Sequence, residues 1–134
     1  MSRGWMFLFG AGGGLREMSR GSPRLVEGDR TVRQALMMLL GTRPGERVMR
    51  PEWGCPLHRV LFQPNDGATA GLAIHYVRQS IARHEPRVEV RSVTAAADRA
   101  RPECLDIRLE YRVRTTGNIE QLRFLLDLQA EEAA

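Results

Sequence analysis

The sequence predicts an α+β domain in which two main helices and a short helix pack on a small antiparallel three-stranded sheet, with an extended N-terminal arm. Two observations support this prediction. Apolar residues recur at helical spacing as far as residue 84, and from residue 88 onward they alternate with polar residues. Helices and strands that are segregated along a chain in this way indicate an α+β fold, and not a parallel βαβ fold.

The chain divides into a Gly-rich arm (1–28), one domain (29–128) and a short acidic tail (129–134). The arm is rich in Gly, Ser and Arg, a composition typical of extended segments that form no packed element. Its apolar run at 5–9 is shorter than the roughly 7 to 15 residues of a signal-peptide core. Since no other stretch reaches the length of a membrane span, we expect a cytoplasmic protein without a membrane partner.

The first helix is predicted to begin at Asp29, because aspartate is a favoured N-cap, and to end at Gly41, because glycine is favoured just after a helix. Its apolar face is formed by Val32, Ala35, Leu36, Leu39 and Leu40. Residues 57–62 predict a short helical segment, and turn residues at 64–67 separate it from a second long helix at about 68–84.

The clearest strand lies at 105–113, where apolar and charged residues alternate. Its apolar face consists of Leu105, Ile107, Leu109, Tyr111 and Val113, and the charged face consists of Asp106, Arg108, Glu110, Arg112 and Arg114. A shorter alternating segment after Pro86 predicts a preceding strand, and residues 115–118 predict a turn. Residues 122–128 fit a third strand or a helix, and the hairpin context favours the strand.

The stretch between the first helix and the short helix, TRPGERVMRPEWG at 42–54, concentrates arginine, proline and glycine. Pro44 and Gly45 predict a turn, and Val48 with Met49 could form a short extended segment that stops at Pro51. Two roles remain open for its arginines, which either clamp nearby carbonyls and carboxylates or contact neighbouring subunits: Arg43, Arg47 and Arg50. Trp53 is expected to fill the core or an interface.

Charge and residue pattern argue against a nucleic-acid partner. All 20 basic residues are arginine, the net charge is only +4, and acidic residues interrupt the arginines along the chain. The predicted central strand shows the same mixture on its charged face. A pI near 10 keeps a small RNA-binding module as a lesser alternative.

No set of residues has the pattern of a catalytic, metal or cofactor site. Glu46, Glu52 and Glu85 each have an arginine within two positions, which favours the ionised carboxylate over a general acid. The histidines lack metal-ligand spacing and a nucleophile motif, and the absence of lysine rules out a phosphate-binding P-loop. Cys55 and Cys104 have no paired spacing and are expected to be buried free thiols.

Glu85, Pro86 and Arg87 stand where the second helix should give way to a strand. Proline disfavours helical geometry at the residue before it, so the two charges should be held on a stiff corner. An exposed ion pair contributes only about 0–1 kcal/mol to stability. The corner could instead make charge-assisted contacts with a partner.

Four separated motifs occur in order: TRPGER at 42–47, MRPEWG at 49–54, Leu-Phe at 61–62 and Glu-Pro-Arg at 85–87. In this order and spacing they resemble the baseplate wedge proteins of contractile phage tails, the baseplate protein W or lysozyme-like baseplate family. Related members occur in the baseplates of type VI secretion systems and of extracellular contractile injection systems. The resemblance covers about residues 29–128, and Gly4-Trp5 resembles the glycine-aromatic arm of some injection-system members.

The resemblance implies a structural, non-enzymatic subunit, present in several copies around a six-fold axis, that joins wedge proteins to the first sheath ring and nucleates the sheath. Glu85 and Arg87 would dock on the helical core bundle of neighbouring wedge subunits. The sheet would accept arms of the sheath protein by strand addition, and the N-terminal arm could contact the central hub or spike. The protein would assemble in the cytoplasm and remain in the baseplate of the particle. The term lysozyme-like in the family's description suggests a peptidoglycan hydrolase as an alternative. The residues of this chain do not support that activity.

Overall fold

A computed structural model describes residues 6–9, 16–17 and 27–129 of the chain. The elements, in chain order, are β1 (Met6–Phe9), β2 (Arg16–Glu17), α1 (Glu27–Gly41), a short 3-10 helix (Leu57–Val60), α2 (Gly67–His84), β3 (Val88–Ala97), β4 (Cys104–Val113) and β5 (Ile119–Asp127). The predicted α+β fold is therefore confirmed. The predicted character of the rest of the arm, and of the tail at 130–134, falls on residues outside the described ones.

The sheet is built on the predicted meander, in which β4 pairs antiparallel with β3 on one side and β5 on the other. A register shift between Val90 and Ser92 marks an irregularity in β3. Two short strands of the arm extend the sheet beyond the three that were predicted. β1 pairs parallel with β5, and β2 pairs antiparallel with β1, which gives the order β2-β1-β5-β4-β3. Among the strands that the structure describes, the ten-residue β3 is consequently a long edge strand.

The core lies between the two helices and one face of the meander. The five apolar residues predicted to share a face of β4 are all buried, whereas the residues that alternate with them are partly or fully exposed. In β5 the buried inward residues are Glu120, Leu122, Phe124, Leu126 and, just after the strand, Leu128. Residues 122–127 thus form a strand, and the helical alternative is wrong because every second side chain faces the core.

Helix α1 corrects one prediction. It begins at Glu27, so Asp29 lies inside the helix and is not its N-cap. The Asp29 carboxylate is buried and accepts hydrogen bonds from Thr116 Oγ1 (2.7 Å) and Asn118 Nδ2 (2.7 Å) in the β4–β5 turn. The Asp29 side chain, which the N-cap preference had placed at the helix terminus, therefore forms a tertiary contact instead.

An arginine–glutamate contact lies near Asp29, between α1 and β5. Arg33 and Glu120 are both buried, with 3.5 Å between Arg33 Nη2 and Glu120 Oε1. Arg33 Nη2 also donates to the backbone oxygen of Gln121 (3.2 Å). We call Asp29, Arg33 and Glu120 the buried polar cluster. Burial raises the pKa of the neighbouring Tyr111 hydroxyl to about 12; among the smaller effects, the charge of Arg33 lowers the pKa, and the charges of Glu120 and Asp29 raise it.

The ends of the other helical segments follow local rules more closely. The Asp66 side chain caps α2 by accepting a hydrogen bond from the Thr69 N–H at 3.1 Å. After the 3-10 helix, Phe62 has a positive φ of 64°, and its N–H donates to the Leu128 oxygen at 2.6 Å. The Leu-Phe motif therefore ties the short helix to the end of β5.

Candidate functional site

The corner formed by Glu85, Pro86 and Arg87 joins α2 to β3. Glu85 leaves helical geometry with φ −134° and ψ 77°, as expected for a residue before proline, while its N–H still donates to Ile81 O (2.9 Å). Arg114, just after β4, fixes the corner from the other side, because its N–H donates to Arg87 O (2.9 Å) and its Nε to Pro86 O (3.1 Å). The backbone of the corner is therefore held at both ends.

Glu85 and Arg87 form a bidentate pair across Pro86. Arg87 Nε lies 2.6 Å from Glu85 Oε2, and Arg87 Nη2 lies 3.0 Å from Glu85 Oε1. The Glu85 side chain is only 8% exposed, whereas that of Arg87 is 45% exposed. The hydrogen bond to Glu85 raises the pKa of Arg87. Arg87 is thus the member of the pair that faces solvent, and Glu85 fixes its orientation from below.

The stretch 42–54, which we call the arginine loop, consists of successive turns. Glu46 N–H donates to Arg43 O (3.1 Å), with Gly45 at φ 98°, and the Glu46 carboxylate accepts from Arg43 N–H (2.6 Å). This confirms the predicted Pro-Gly turn. The predicted extended segment at Val48 and Met49 is wrong, because Arg50 N–H donates to Arg47 O (3.2 Å) and closes a second turn there.

Gly54 closes the base of the arginine loop. Cys55 N–H donates to Thr42 O at 2.9 Å, which brings the two ends of the loop together. Gly54 has φ 140°, and a Cβ built on it would lie 2.6 Å from the same Thr42 oxygen. Only glycine fits this close approach of two backbone segments.

Trp53 contacts two of the loop arginines. The guanidinium carbons of Arg47 and Arg50 are 5.1 and 5.4 Å from the centre of its ring system, within cation–π range. The indole is partly buried and packs against the hydrophobic core. Trp53 therefore anchors the loop on the domain, and Arg43, Arg47 and Arg50 themselves are exposed.

The arginine loop and the last turn of α2 contact each other. Glu52 forms an ion pair with Arg83. Burial lowers the pKa of His84, as do the charges of Arg83 and Arg50, while a hydrogen bond with the backbone of Glu52 opposes the shift. The structure thus brings the loop, with its Arg43, Arg47, Arg50 and Trp53, next to the helix turn that precedes the corner.

The sequence did not single out three residues of this surface. Arg83 was missed because it is one of two arginines on α2, and nothing local marks its pairing with Glu52. Val48 and Met49 were assigned to an extended segment, but they lie at the tip of the loop with exposed fractions of 92% and 88%. The signal that could have identified them is their position between two arginines in a segment rich in turn residues.

The outer face of the sheet carries the mixed charges that the sequence predicted. Arg123 makes two 3.0 Å contacts with the Asp106 carboxylate, and Arg108 Nη2 lies 3.2 Å from the same group. Arg112 and Glu89 are 3.7 Å apart across the strands. The guanidinium groups on this face are paired with carboxylates. In a nucleic-acid interface they would instead be available to contact phosphates.

The thiols behave as predicted. Cys55 and Cys104 are buried and free, and burial raises their pKa values to about 12 and about 11. Across the described residues, no group of three or more His, Cys, Asp or Glu is placed to hold a metal ion. No helix in the described part of the chain has the length and apolarity that a membrane crossing needs.

A family model and one phage protein identify the same family. The family described as "Baseplate wedge protein gp25" matches residues 26–118. The baseplate wedge protein gp25 of Enterobacteria phage T4 is 31% identical over 62 residues, which are 46% of this chain and 47% of that protein. The match thus spans about half the length of the phage protein.

Two solved structures share the fold. A putative tail lysozyme from Geobacter sulfurreducens is 34% identical with a TM-score of 0.71, over 84% of this chain and 100% of that one. A chain in the six-fold symmetrised baseplate of the anti-feeding prophage is 27% identical with a TM-score of 0.61, over 75% of this chain and 74% of that one. Each of these matches is longer than residues 42–87, the segment that carries the four motifs.

Proposed function

Since the chain belongs to the family of the baseplate wedge protein gp25, we propose that it is a structural subunit that joins neighbouring wedge proteins to the first ring of the sheath and nucleates sheath assembly. Its copies would be arranged around a six-fold axis. The subunit would be incorporated in the cytoplasm and would stay in the baseplate of the finished particle.

The observation that carries this proposal is the oriented guanidinium of Arg87. A partly exposed arginine held by two hydrogen bonds to an almost buried carboxylate loses little conformational freedom when it binds a second acidic group. The exposed arginines of the loop lie on the adjoining surface. We assign the corner, together with Arg43, Arg47 and Arg50, to contacts with acidic residues of the helical core bundle in neighbouring wedge subunits.

The sheath contact is assigned to β3. Strand addition requires an edge with unpaired backbone groups, and the two edges of the meander differ in this respect. The β5 edge is paired with β1 over Met6–Phe9, whereas β4 is the one neighbour that β3 has among the described strands. The ten residues of β3 would therefore accept a sheath arm, and the unassigned part of the arm at 1–28 would reach the central hub or spike.

We further propose that the subunit is not an enzyme. The three glutamates with any claim to general acid chemistry already have partners: Glu46 accepts from the Arg43 N–H, Glu52 pairs with Arg83, and Glu85 pairs with Arg87. Glycoside hydrolysis needs a carboxylic acid that can give up its proton to the leaving group. A peptidoglycan-release assay with the purified chain should show no turnover, and measurable turnover would overturn this part of the proposal.

The docking role is tested by neutralising the corner pair without removing its shape. Glu85→Gln/Arg87→Gln keeps two hydrogen-bonding side chains but no charge, so the domain should fold while particle assembly fails. The matched control is Asp106→Asn/Arg108→Gln on β4, because Asp106 is also an almost buried carboxylate (11% exposed) that pairs with an exposed arginine two positions away (63% exposed). Particle numbers are counted by electron microscopy, and wild-type numbers from the corner variant would refute the docking role.

The sheath contact is tested by hydrogen exchange measured in isolated protein and in assembled particles. Amides of β3 (Val88–Ala97) should exchange more slowly in the particle, because a sheath strand would pair with them. Protection that appears only in β5 (Ile119–Asp127) would show that the sheath displaces β1 and that the assigned edge is wrong.

A further inference from the structure

Two apolar side chains at the tip of the arginine loop project into solvent. Val48 is 92% exposed and Met49 is 88% exposed, and they are adjacent in the chain. A single exposed apolar residue is ordinary on a protein surface. Here two adjacent apolar residues are exposed to this extent at the tip of a loop, away from the core. Such a pair is more typical of a binding surface.

The tip is presented by a loop that is held in place. Gly54 and the hydrogen bond from Cys55 N–H to Thr42 O close its base. The loop is held to α2 by the pair between Glu52 and Arg83, and to the core by Trp53. A surface that is ordered before binding loses less entropy when it binds. The tip is therefore suited to recognition.

A second partly apolar surface lies beside the loop. It is an open groove of about 550 Å³ whose lining includes Met37 and Met38 of α1 and the charged residues Glu46 and Arg47, and Arg47 directly precedes Val48. Met38 is 50% exposed. Methionine side chains adapt to irregular surfaces, so this groove suits contact with a protein surface better than capture of one small molecule.

The charges around the tip indicate which surface it fits. Arg47 and Arg50 flank Val48 and Met49 directly, and Arg43 lies at the start of the same loop. The loop's two acidic residues are also exposed, but each has a partner within the domain, since Glu46 accepts from the Arg43 N–H and Glu52 pairs with Arg83. The side that surrounds the tip is thus apolar at its centre and positive at its rim.

We propose that the tip, Val48 and Met49, inserts into a shallow apolar pocket of another baseplate protein, and that carboxylates bordering this pocket pair with Arg47 and Arg50. The inference rests on the proposed function, because the partner is a component of the same particle. It adds an apolar anchor to a site whose other contacts are charged. In such an interface the buried apolar contact provides affinity, and the rim charges provide orientation.

The test is photocross-linking in assembled particles, with p-benzoylphenylalanine in place of Met49. We expect cross-links to apolar residues of one other baseplate protein, with aspartate or glutamate close by in its structure. Cross-links to lipid, to a second copy of this chain, or to no protein at all would each overturn the inference. The same substitution at Leu72, which is 46% exposed on α2, is the control position.

A pair of variants separates this inference from the proposed function. Val48→Ser/Met49→Ser removes the apolar contact and should weaken incorporation roughly 100-fold, on the scale expected for exposing two buried side chains. Its melting temperature should not change, because both residues are exposed in the free chain. If this variant enters particles normally while the neutralised corner does not, the tip is refuted and the docking corner stands. If mass spectrometry finds no wild-type chain in the particles, the proposed function itself fails.

Discussion

The buried polar cluster and the arginine loop use the same residue types in opposite ways. In the cluster, Asp29, Arg33 and Glu120 lie between α1 and β5, where almost no side-chain surface reaches solvent. In the loop, Arg47 and Arg50 are exposed, and their guanidinium groups lie over the ring of Trp53. The buried charges are thus paired within the domain, whereas the loop arginines face solvent.

The difference shows where the cost of removing a charge would appear. A buried charge that loses its partner stays in a medium of low polarity, so the loss is seen in the free energy of unfolding. An exposed arginine that is removed leaves only water behind, so the loss is seen when a partner arrives. The two regions should therefore separate folding from assembly.

The largest effect is expected for Arg33→Ala. It leaves the Glu120 carboxylate buried without its guanidinium and should lower the free energy of unfolding by about 3–5 kcal/mol. The matched variant Arg83→Ala breaks the exposed pair with Glu52 and should cost about 0–1 kcal/mol. Urea unfolding followed by circular dichroism measures both. Equal losses would mean that burial does not distinguish the two regions.

The next largest effect is expected at the base of the loop. Gly54→Ala places a Cβ 2.6 Å from Thr42 O. Strain and displaced backbone together should cost about 2–4 kcal/mol. Gly45→Ala meets no atom within 4 Å, although φ is 98° there, so about 1 kcal/mol is expected. Thermal unfolding of the two variants gives the ranking, and a larger loss for Gly45→Ala would contradict the close contact.

A smaller effect concerns pH. The lowered pKa of His84 means that the unfolded chain binds a proton more readily than the folded chain. Stability should therefore be unaffected at high pH and fall as the pH drops through the unfolded value of about 6.5. His84→Gln should remove this part of the pH dependence. Melting temperatures of both proteins, measured from pH 8 to pH 5, would reveal it, and identical slopes would show that the loop does not perturb His84.

The smallest effect is expected for Tyr111→Phe. The Tyr111 hydroxyl is buried and has no hydrogen-bond partner among the described residues. Its removal should leave the free energy of unfolding unchanged or raise it by up to about 1 kcal/mol, because a buried polar group without a partner is unfavourable. A clear loss of stability would mean that the hydroxyl belongs to the buried polar cluster after all.

The meander was predicted well from local sequence because, in a half-buried strand, apolar residues alternate with polar ones in step with buried and exposed side chains. The alternation around Tyr111 is matched residue by residue in β4. The start of α2 near residue 67 was also predicted, because the turn residues end where the helical spacing of apolar residues begins. The Pro-Gly turn of the loop depended only on backbone preferences, and it too is confirmed.

Other features depend on contacts that are distant in sequence. Asp29 was assigned to the helix terminus because the rule for N-caps does not include Thr116 and Asn118, which are far along the chain. The sequence placed Glu85 and Arg87 together on a corner, but it could not show that only Arg87 faces solvent. The roles of both residues in partner binding stay predictions.

The unequal edges of the sheet have a consequence for growth of an assembly. A sheet with two open edges can be extended from either side, like a polymer with two growing ends. Among the described strands, the sheet ends in the two-residue β2 on one side and in the ten-residue β3 on the other. If sheath strands add to β3, the subunit acts as an initiator whose two edges are unequal, and the direction of elongation is determined before the first sheath ring is complete.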